Sequence, residues 1–361
     1  MDKTGSDSAV RPIRPGSAPG PVPGEKAIMS TSAQPVVQSA AVPATSKTGP
    51  AAVSLAVGRS ILLPVIGMVM FLALWHAVSY AIQTSLGKLP GPLEVWEQSG
   101  NLYQEYRAER AREVNFYLQQ EERKAEFVAQ NPDQPFVTLK YTGTPTFFDQ
   151  ILTSVKTVAT GFLLGVVIAI PLGIVCGLSA QFYAAINPLV QVLRPVSPLA
   201  WLPIVTMTVS AMYITQVPGL PKSFVISAFT VMLCCLWPTL INTTIGVSSV
   251  SRDLVNVARV LRLGWFTNVR RIVLPSALPM IFAGMRVSLG IGWMVLIATE
   301  MLAQNPGLGK FIWDEFQNGS SQSLARIMVA VVVIGIVGFL LDRLMLVAQR
   351  RVGWDKQAIL R

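Results

Sequence analysis

The stretch GFLLGVVIAIPLGIVCG, residues 161–177, decides the fold class. It carries no charged side chain and sits inside a longer apolar run over about residues 151–178. The hydrocarbon core of a bilayer is about 30 Å thick and takes roughly 20 helical residues to cross. In lipid every backbone N–H and C=O must be satisfied internally, so such a run is a helix unless the chain closes a barrel. The short alternating segments of a barrel are missing here. Five further runs of spanning length lie at about residues 60–82, 188–213, 224–247, 277–302 and 324–347. The run over 188–213 holds four prolines and is the least regular. The expected fold is all-α and integral to a membrane, with about six spans.

Composition agrees. Of 361 residues, 52% are hydrophobic and only 13% charged, where a soluble domain carries roughly 25%; the mean hydropathy is +0.50. A basic excess of +10 on so apolar a chain points to a membrane rather than to nucleic acid. Three cysteines, all in apolar runs, make no disulfide framework, and a single histidine, His76, argues against a histidine metal site. No metal site and no catalytic residue is assigned. A nucleophile–base constellation is absent, so the chain does not read as an enzyme.

The domain reading follows the composition. Residues 1–58 form a tail rich in Pro, Gly, Ser and Ala, expected to be disordered because it has too little apolar surface to offset its ordering entropy. No apolar segment of signal-peptide type follows its first charges. Residues 59–87 hold the first span, 88–150 a charged helical insertion, 151–347 a five-span core, and 348–361 a second tail. Within the insertion, residues 101–131 are strong helix formers with i,i+3 and i,i+4 charge partners such as Glu109–Arg112, and Asn131-Pro132 ends the helix. The helix is either a solvated face or a docking surface for a partner.

Basic residues near span ends mark the cytoplasmic side. The loop 249–275 has five arginines against one aspartate, and the C-terminal tail is also basic. Six spans place both termini on the side of that loop, in the cytoplasm, and the insertion, with 7 basic and 10 acidic residues, outside. The loop is patterned rather than merely polar. Val255, Ala258, Leu261 and Leu263 supply an apolar side, Arg252, Arg259 and Arg262 lie around the other, Gly264 is expected to break the helix, and Pro275 can start the next one.

These residues resemble the permease subunit of a bacterial ABC importer, in the nitrate, sulfonate and taurine branch that uses an external binding protein. The family loop reads Glu-Ala-Ala, three residues, Gly, nine residues, Ile, one residue, Leu-Pro. Ile272, Leu274 and Pro275 match it, as does Ala258 at the second alanine. Asn256 stands for the glutamate, Val257 for the first alanine and Arg262 for the glycine, with Gly264 two positions on. The resemblance continues in TSVKTVATGFLLGVVIAIPLG, in LRPVSPLAWLPI at 193–204, in GMRVSLGIGWMVLIATEML at 284–302 and in GLGKFI from Gly307, the last three being closest to nitrate-type members. It implies a type I importer (MetI-like) permease fold in the bacterial inner membrane. The implied partners are a second permease copy, by default a homodimer, two cytoplasmic ABC ATPase subunits, an external binding protein and the bilayer, with no nucleic acid. The chain has no phosphate-cradling Gly-x-x-x-x-Gly-Lys-Ser/Thr loop, so it needs no cofactor itself, and ATP and Mg belong to the partner ATPase. Asn256, Ala258, Arg259, Arg262, Gly264, Ile272, Leu274 and Pro275 are implied to couple the spans to that ATPase.

The implied cargo is a small anion, first nitrate or nitrite for nitrate assimilation, with sulfonate or taurine, bicarbonate and cyanate as alternatives. A secondary transporter driven by an ion gradient is the reading from another class; the intramembrane acid pairs it calls for are not found. Charges inside the spans ahead of the C-terminal Asp342 are Lys156, Arg194, Arg286, Glu300 and Arg326, and such charges suggest function. Arg286, about 16 Å beyond Pro275 along a helix, is either an anion station on the pathway or half of a structural pair. Glu300, about 21 Å further, is expected near the outer surface, at a gate, facing the binding protein or capping the interface. Ser197 and Trp201 complete the candidate pathway. Lys156 is expected to snorkel to the interface, and Gly161, Gly165, Gly173 and Gly177 to mark close helix packing.

Overall fold

The computed structural model describes residues 50–84, 87–131, 135–213, 220–320 and 322–352. Most of both expected tails, residues 1–49 and 353–361, lies outside the described residues. The chain divides into units 1–62 and 63–361. The described part of the first is the beginning of helix α1 (Pro50–Ala81); the rest of the described structure belongs to the second.

Apart from a two-residue antiparallel pair, β1 (Gln83–Thr84) with β2 (Gly87–Lys88), the described secondary structure is helical. After β2 come α2 (Pro92–Gln130), α3 (Phe147–Leu178), α4 (Ala180–Leu193), α5 (Pro198–Met212), α6 (Lys222–Ser248) and α7 (Arg252–Val260). They are followed by α8 (Trp265–Asn268), a π-helical turn (Val269–Val273), α9 (Leu274–Ala303), α10 (Leu308–Asn318) and α11 (Ser323–Val352). Among the described residues five helices are long and apolar enough to cross a membrane, or six if α4 and α5 count together. These two meet at 102°. The expected third span is therefore not one rod but two half-helices. Pro195 and Pro198 explain the break: each removes an N–H, and Ser197, before Pro198, leaves the helical region at ψ 137°.

Helices α3, α6 and α9 form the centre. The glycines of α3 sit where α6 crosses at close range. A Cβ at Gly161 would lie 2.5 Å from the Ala228 carbonyl oxygen, at Gly173 2.6 Å from Thr243 Cβ, and at Gly177 2.5 Å from Val247 Cβ, while Gly165 faces the Met232 carbonyl at 3.2 Å. The small-residue stripe is helix packing, as its spacing suggests. On the other side of α6, the Ser288 hydroxyl of α9 donates to the Cys235 carbonyl at 2.6 Å and lies 2.7 Å from the Thr239 hydroxyl. Val158, Phe162, Val231, Leu289, Trp293 and Leu296 fill the space between the three.

One side of helix α2 packs on the chain's own α3 and α11, while most of its residues are exposed. Leu102 is buried at 2% exposure, Tyr103 and Tyr106 pack on Phe148 of α3, and three acids at i, i+4, i+8 each find a partner. Glu105 takes two bonds from Arg326 of α11, at 2.9 and 2.8 Å. Glu109 accepts from the Tyr141 phenol at 2.7 Å and from Arg112 at 3.1 Å, and Glu113 accepts from Arg110, which also grips Asp149 of α3. The expected Glu109–Arg112 pair is present. Asn131 caps the helix, as Asn131-Pro132 suggests.

Candidate functional site

Broken backbone at membrane depth is tolerated where it is buried in protein or lines a cavity. Three cavities follow the broken pair. The first, about 570 Å³, lies between α3, α4 and α6, with Tyr183, Asn187, Gln191 and Arg194 on its wall. A second, about 270 Å³, is bounded by Arg194, Trp201, Trp237, Pro238, Val287 and Ile291. The third, about 430 Å³, is almost wholly apolar and runs along α5 and α6 from Trp201 to Phe229. Arg194 and Ile241 belong to the first and second, and Trp201 belongs to the second and third. The cavities form a row joined at these residues. Ser197 stands beside that row as the N-cap of α5, its hydroxyl accepting from Leu199 N at 3.3 Å.

Two other expected pathway residues are engaged elsewhere. Arg286 donates through Nε and Nη2 to the two carboxylate oxygens of Asp342 in α11, at 2.5 and 2.9 Å. Of its two readings, pairing is the arrangement present; the pair borders a separate cavity of about 210 Å³. Asp342 lies within α11, in the sixth apolar run. Glu300 corrects its expectation: it is fully buried and faces no surface. Both its oxygens accept from the Ser154 hydroxyl, at 2.9 and 2.8 Å, and Gly309 N adds a bond at 3.0 Å. Ser154 in turn accepts from Leu308 N at 2.8 Å, so one polar node ties α3, α9 and the start of α10 together. A side chain at Gly307 would collide with the Glu300 carboxylate and one at Gly309 with the Ile297 carbonyl, which explains the glycines of the GLGK run. Composition marks Glu300 as costly; nothing in the chain marks Ser154, 146 residues away, as its partner.

The loop after α6 also differs in detail from its pattern. Helix α7 ends before Gly264, at Arg262, whose φ of 47° is left-handed. Arg262 N bonds to Arg259 O and Leu263 N to Ala258 O, at 3.0 and 3.1 Å, the pair of bonds that closes a helix through a left-handed residue. Gly264 is extended and caps α8 instead. Pro275 falls in the first turn of α9 directly after the π-helical turn, so the run from Trp265 to Ala303 continues through it. A wider turn just before a proline removes the clash a regular helix would suffer. Of the expected apolar side only Ala258 is buried. Val260, Leu261, Trp265 and Phe266 are 63–82% exposed together, and Asn256, Arg259 and Arg262 lie exposed among them. Exposed apolar side chains beside charged ones are the kind of feature that marks interaction sites. Ile272 and Leu274 are half-buried, Leu274 packing with Val247, Val273, Ala277 and Ile281.

Residues 169–354 match the model of the family described as "Binding-protein-dependent transport system inner membrane component". The chain belongs to that family. The permease is 34% identical over 291 residues to the bicarbonate transport system permease protein CmpB of Synechococcus elongatus, covering 80% of this chain and 88% of that one. It is 36% identical over 210 residues to the nitrate import permease protein NrtB of Leptolyngbya laminosa, covering 58% and 70%. Among solved structures, the MetNI methionine ABC transporter in an inward-facing conformation aligns with a TM-score of 0.47 and 16% identity, over 60% of this chain and 96% of that one. The expected class, an all-α, multi-pass permease of the ABC importer kind in the inner membrane, stands with the family.

Proposed function

We propose that the permease forms the path by which a small trigonal oxyanion, nitrate or bicarbonate, enters the cell at the expense of ATP hydrolysed by separate subunits. Relatives of near-equal identity carry the names of both anions, so the shared chemistry is the commitment: a planar, singly charged oxyanion. The observation that carries the transport reading is the row of three cavities joined at Arg194 and Trp201, following the break in the α4–α5 pair. We read Trp201, on the wall of the second and third cavities, and Ser197, beside them, as residues of this path. Arg286 with Asp342 is read as a clamp between α9 and α11 rather than as an anion ligand, and Glu300 as the pin of the α10 hairpin.

Two ABC ATPase subunits would bind at the patch built from α7 and α8, where Asn256, Ala258, Arg259, Arg262 and Gly264 lie, and Ile272, Leu274 and Pro275 would carry their motion into α9. The continuous run Trp265–Ala303 supports this reading, because a rigid helix transmits displacement better than a jointed one. Two copies of the permease complete the pathway, with both termini on the ATPase side and α2 on the side of the external binding protein. The test is uptake by proteoliposomes containing the permease, its ATPase and its binding protein, supplied with labelled nitrate, bicarbonate and taurine separately. Uptake of nitrate or bicarbonate with taurine excluded is expected. Uptake of taurine alone overturns the oxyanion assignment.

A further inference from the structure

We propose that Arg194 is the station at which the carried oxyanion pauses between the first and second cavities; this rests on the oxyanion-import reading above. Arg194 follows the last residue of α4 and opens the non-helical link to α5. Its side chain is exposed and lines both cavities. The second cavity lies at half the height of the spans: Cys234, Trp237 and Pro238 on its wall are the middle of α6, about 18 Å from the helix start at 1.5 Å per residue. Val287 and Ile291 likewise come from the middle of α9.

Charge state singles the residue out. Arg286 is held by Asp342, and Arg326 by Glu105 and Glu315. Arg194 has no ion pair and no side-chain hydrogen bond among the described residues, and no Asp or Glu lines either cavity. A span charge left without a counter-ion is costly unless it faces water or a ligand. Lys156 is also unpaired among the described residues, yet it lines none of the cavities and has a long stem that can carry its ammonium toward the interface. The other polar groups at the junction suit an anion. The indole N–H groups of Trp201 and Trp237 make no hydrogen bond among the described residues, and Asn187 and Gln191 bring amide donors to the first cavity.

Guanidinium is a planar fork whose two N–H groups meet two oxygens of one planar acceptor. Nitrate and bicarbonate are both planar with three oxygens around the central atom. One fork without a second cation binds such an ion and lets it leave, which a conducting site requires.

The test uses the full complex of permease, ATPase and binding protein in proteoliposomes, with labelled nitrate and labelled bicarbonate. A wild-type complex that carries neither anion defeats the import reading itself, before any variant is made. Given wild-type uptake, Arg194→Gln is expected to lower it at least tenfold while the complex still assembles, as read by co-purified ATPase. Arg194→Lys, keeping charge but losing the fork, is expected to fall between the two. Lys156→Gln serves as the control and is expected to transport as wild type. The proposal is overturned if Arg194→Gln transports like wild type. It is equally overturned if both Arg194 variants lose assembly, because the residue would then be structural.

Discussion

Arg286 and Asp342 stand 56 residues apart in sequence and meet through two hydrogen bonds, 2.5 and 2.9 Å, joining α9 to α11. Each neutralises the other within the spans, so removing one strands a charge in the membrane. Arg286→Ala and Asp342→Ala are each expected to lower the thermal midpoint of the purified permease, with Arg286→Ala/Asp342→Ala less damaged than the two effects added. The coupling energy from the double-mutant cycle should be of order 1 kcal/mol, because both side chains are about 40% exposed. Additive effects would show that the pair does no work.

Glu300 predicts a larger loss. Its carboxylate is fully buried and receives Ser154 and Gly309, so Glu300→Ala leaves those donors without an acceptor. A penalty of roughly 3 kcal/mol or more is expected, with Glu300→Gln milder because it keeps one acceptor oxygen. Denaturant or thermal unfolding in detergent reads the difference, and equal stability of all three proteins would contradict the buried node.

The α3 glycines predict a positional contrast. Gly161→Ala places a methyl 2.5 Å from the Ala228 carbonyl and Gly173→Ala places one 2.6 Å from Thr243, so both helices must separate. Each is expected to lower stability by about 1–3 kcal/mol. Gly335→Ala, with nothing within 4 Å of the added Cβ, should be neutral or stabilising by up to about 1 kcal/mol. Thermal midpoints of the three variants measured side by side decide it.

Arg262 predicts a gain. A non-glycine residue at φ 47° carries steric cost that glycine does not. Arg262→Gly should slow amide exchange over residues 258–263 and stabilise the turn by about 0.5–1 kcal/mol, while Arg262→Val should loosen it. Unchanged exchange in both would mean that the turn is not held by its left-handed residue.

How far these features are legible in the chain depends on their range. Spans are local: about 20 apolar residues suffice, and five of the six runs appear as single helices. The Gly161–Gly177 stripe is legible because its spacing follows one helix face. Prolines announce that 188–213 is irregular, but the 102° bend depends on how α4 packs on α3 and α5 on α6. The partners of Arg286 and Glu300 lie on other helices, and rotation about a helix axis is not written in the segment that carries the charge. Gly264 attracts the reading of a helix stop because glycine is the usual left-handed residue; the backbone turns at Arg262 instead, held by its two closing bonds. Arg194 looks like one span charge among several until the cavities on both sides of it are seen.

The most direct measurement compares anion uptake by proteoliposomes containing the permease and its binding protein with either the native ATPase or one unable to hydrolyse ATP. Accumulation of nitrate or bicarbonate that requires ATP and stops with the inactive ATPase is the expected result. Uptake that continues at the same rate with the inactive ATPase, driven by an ion gradient alone, would contradict it.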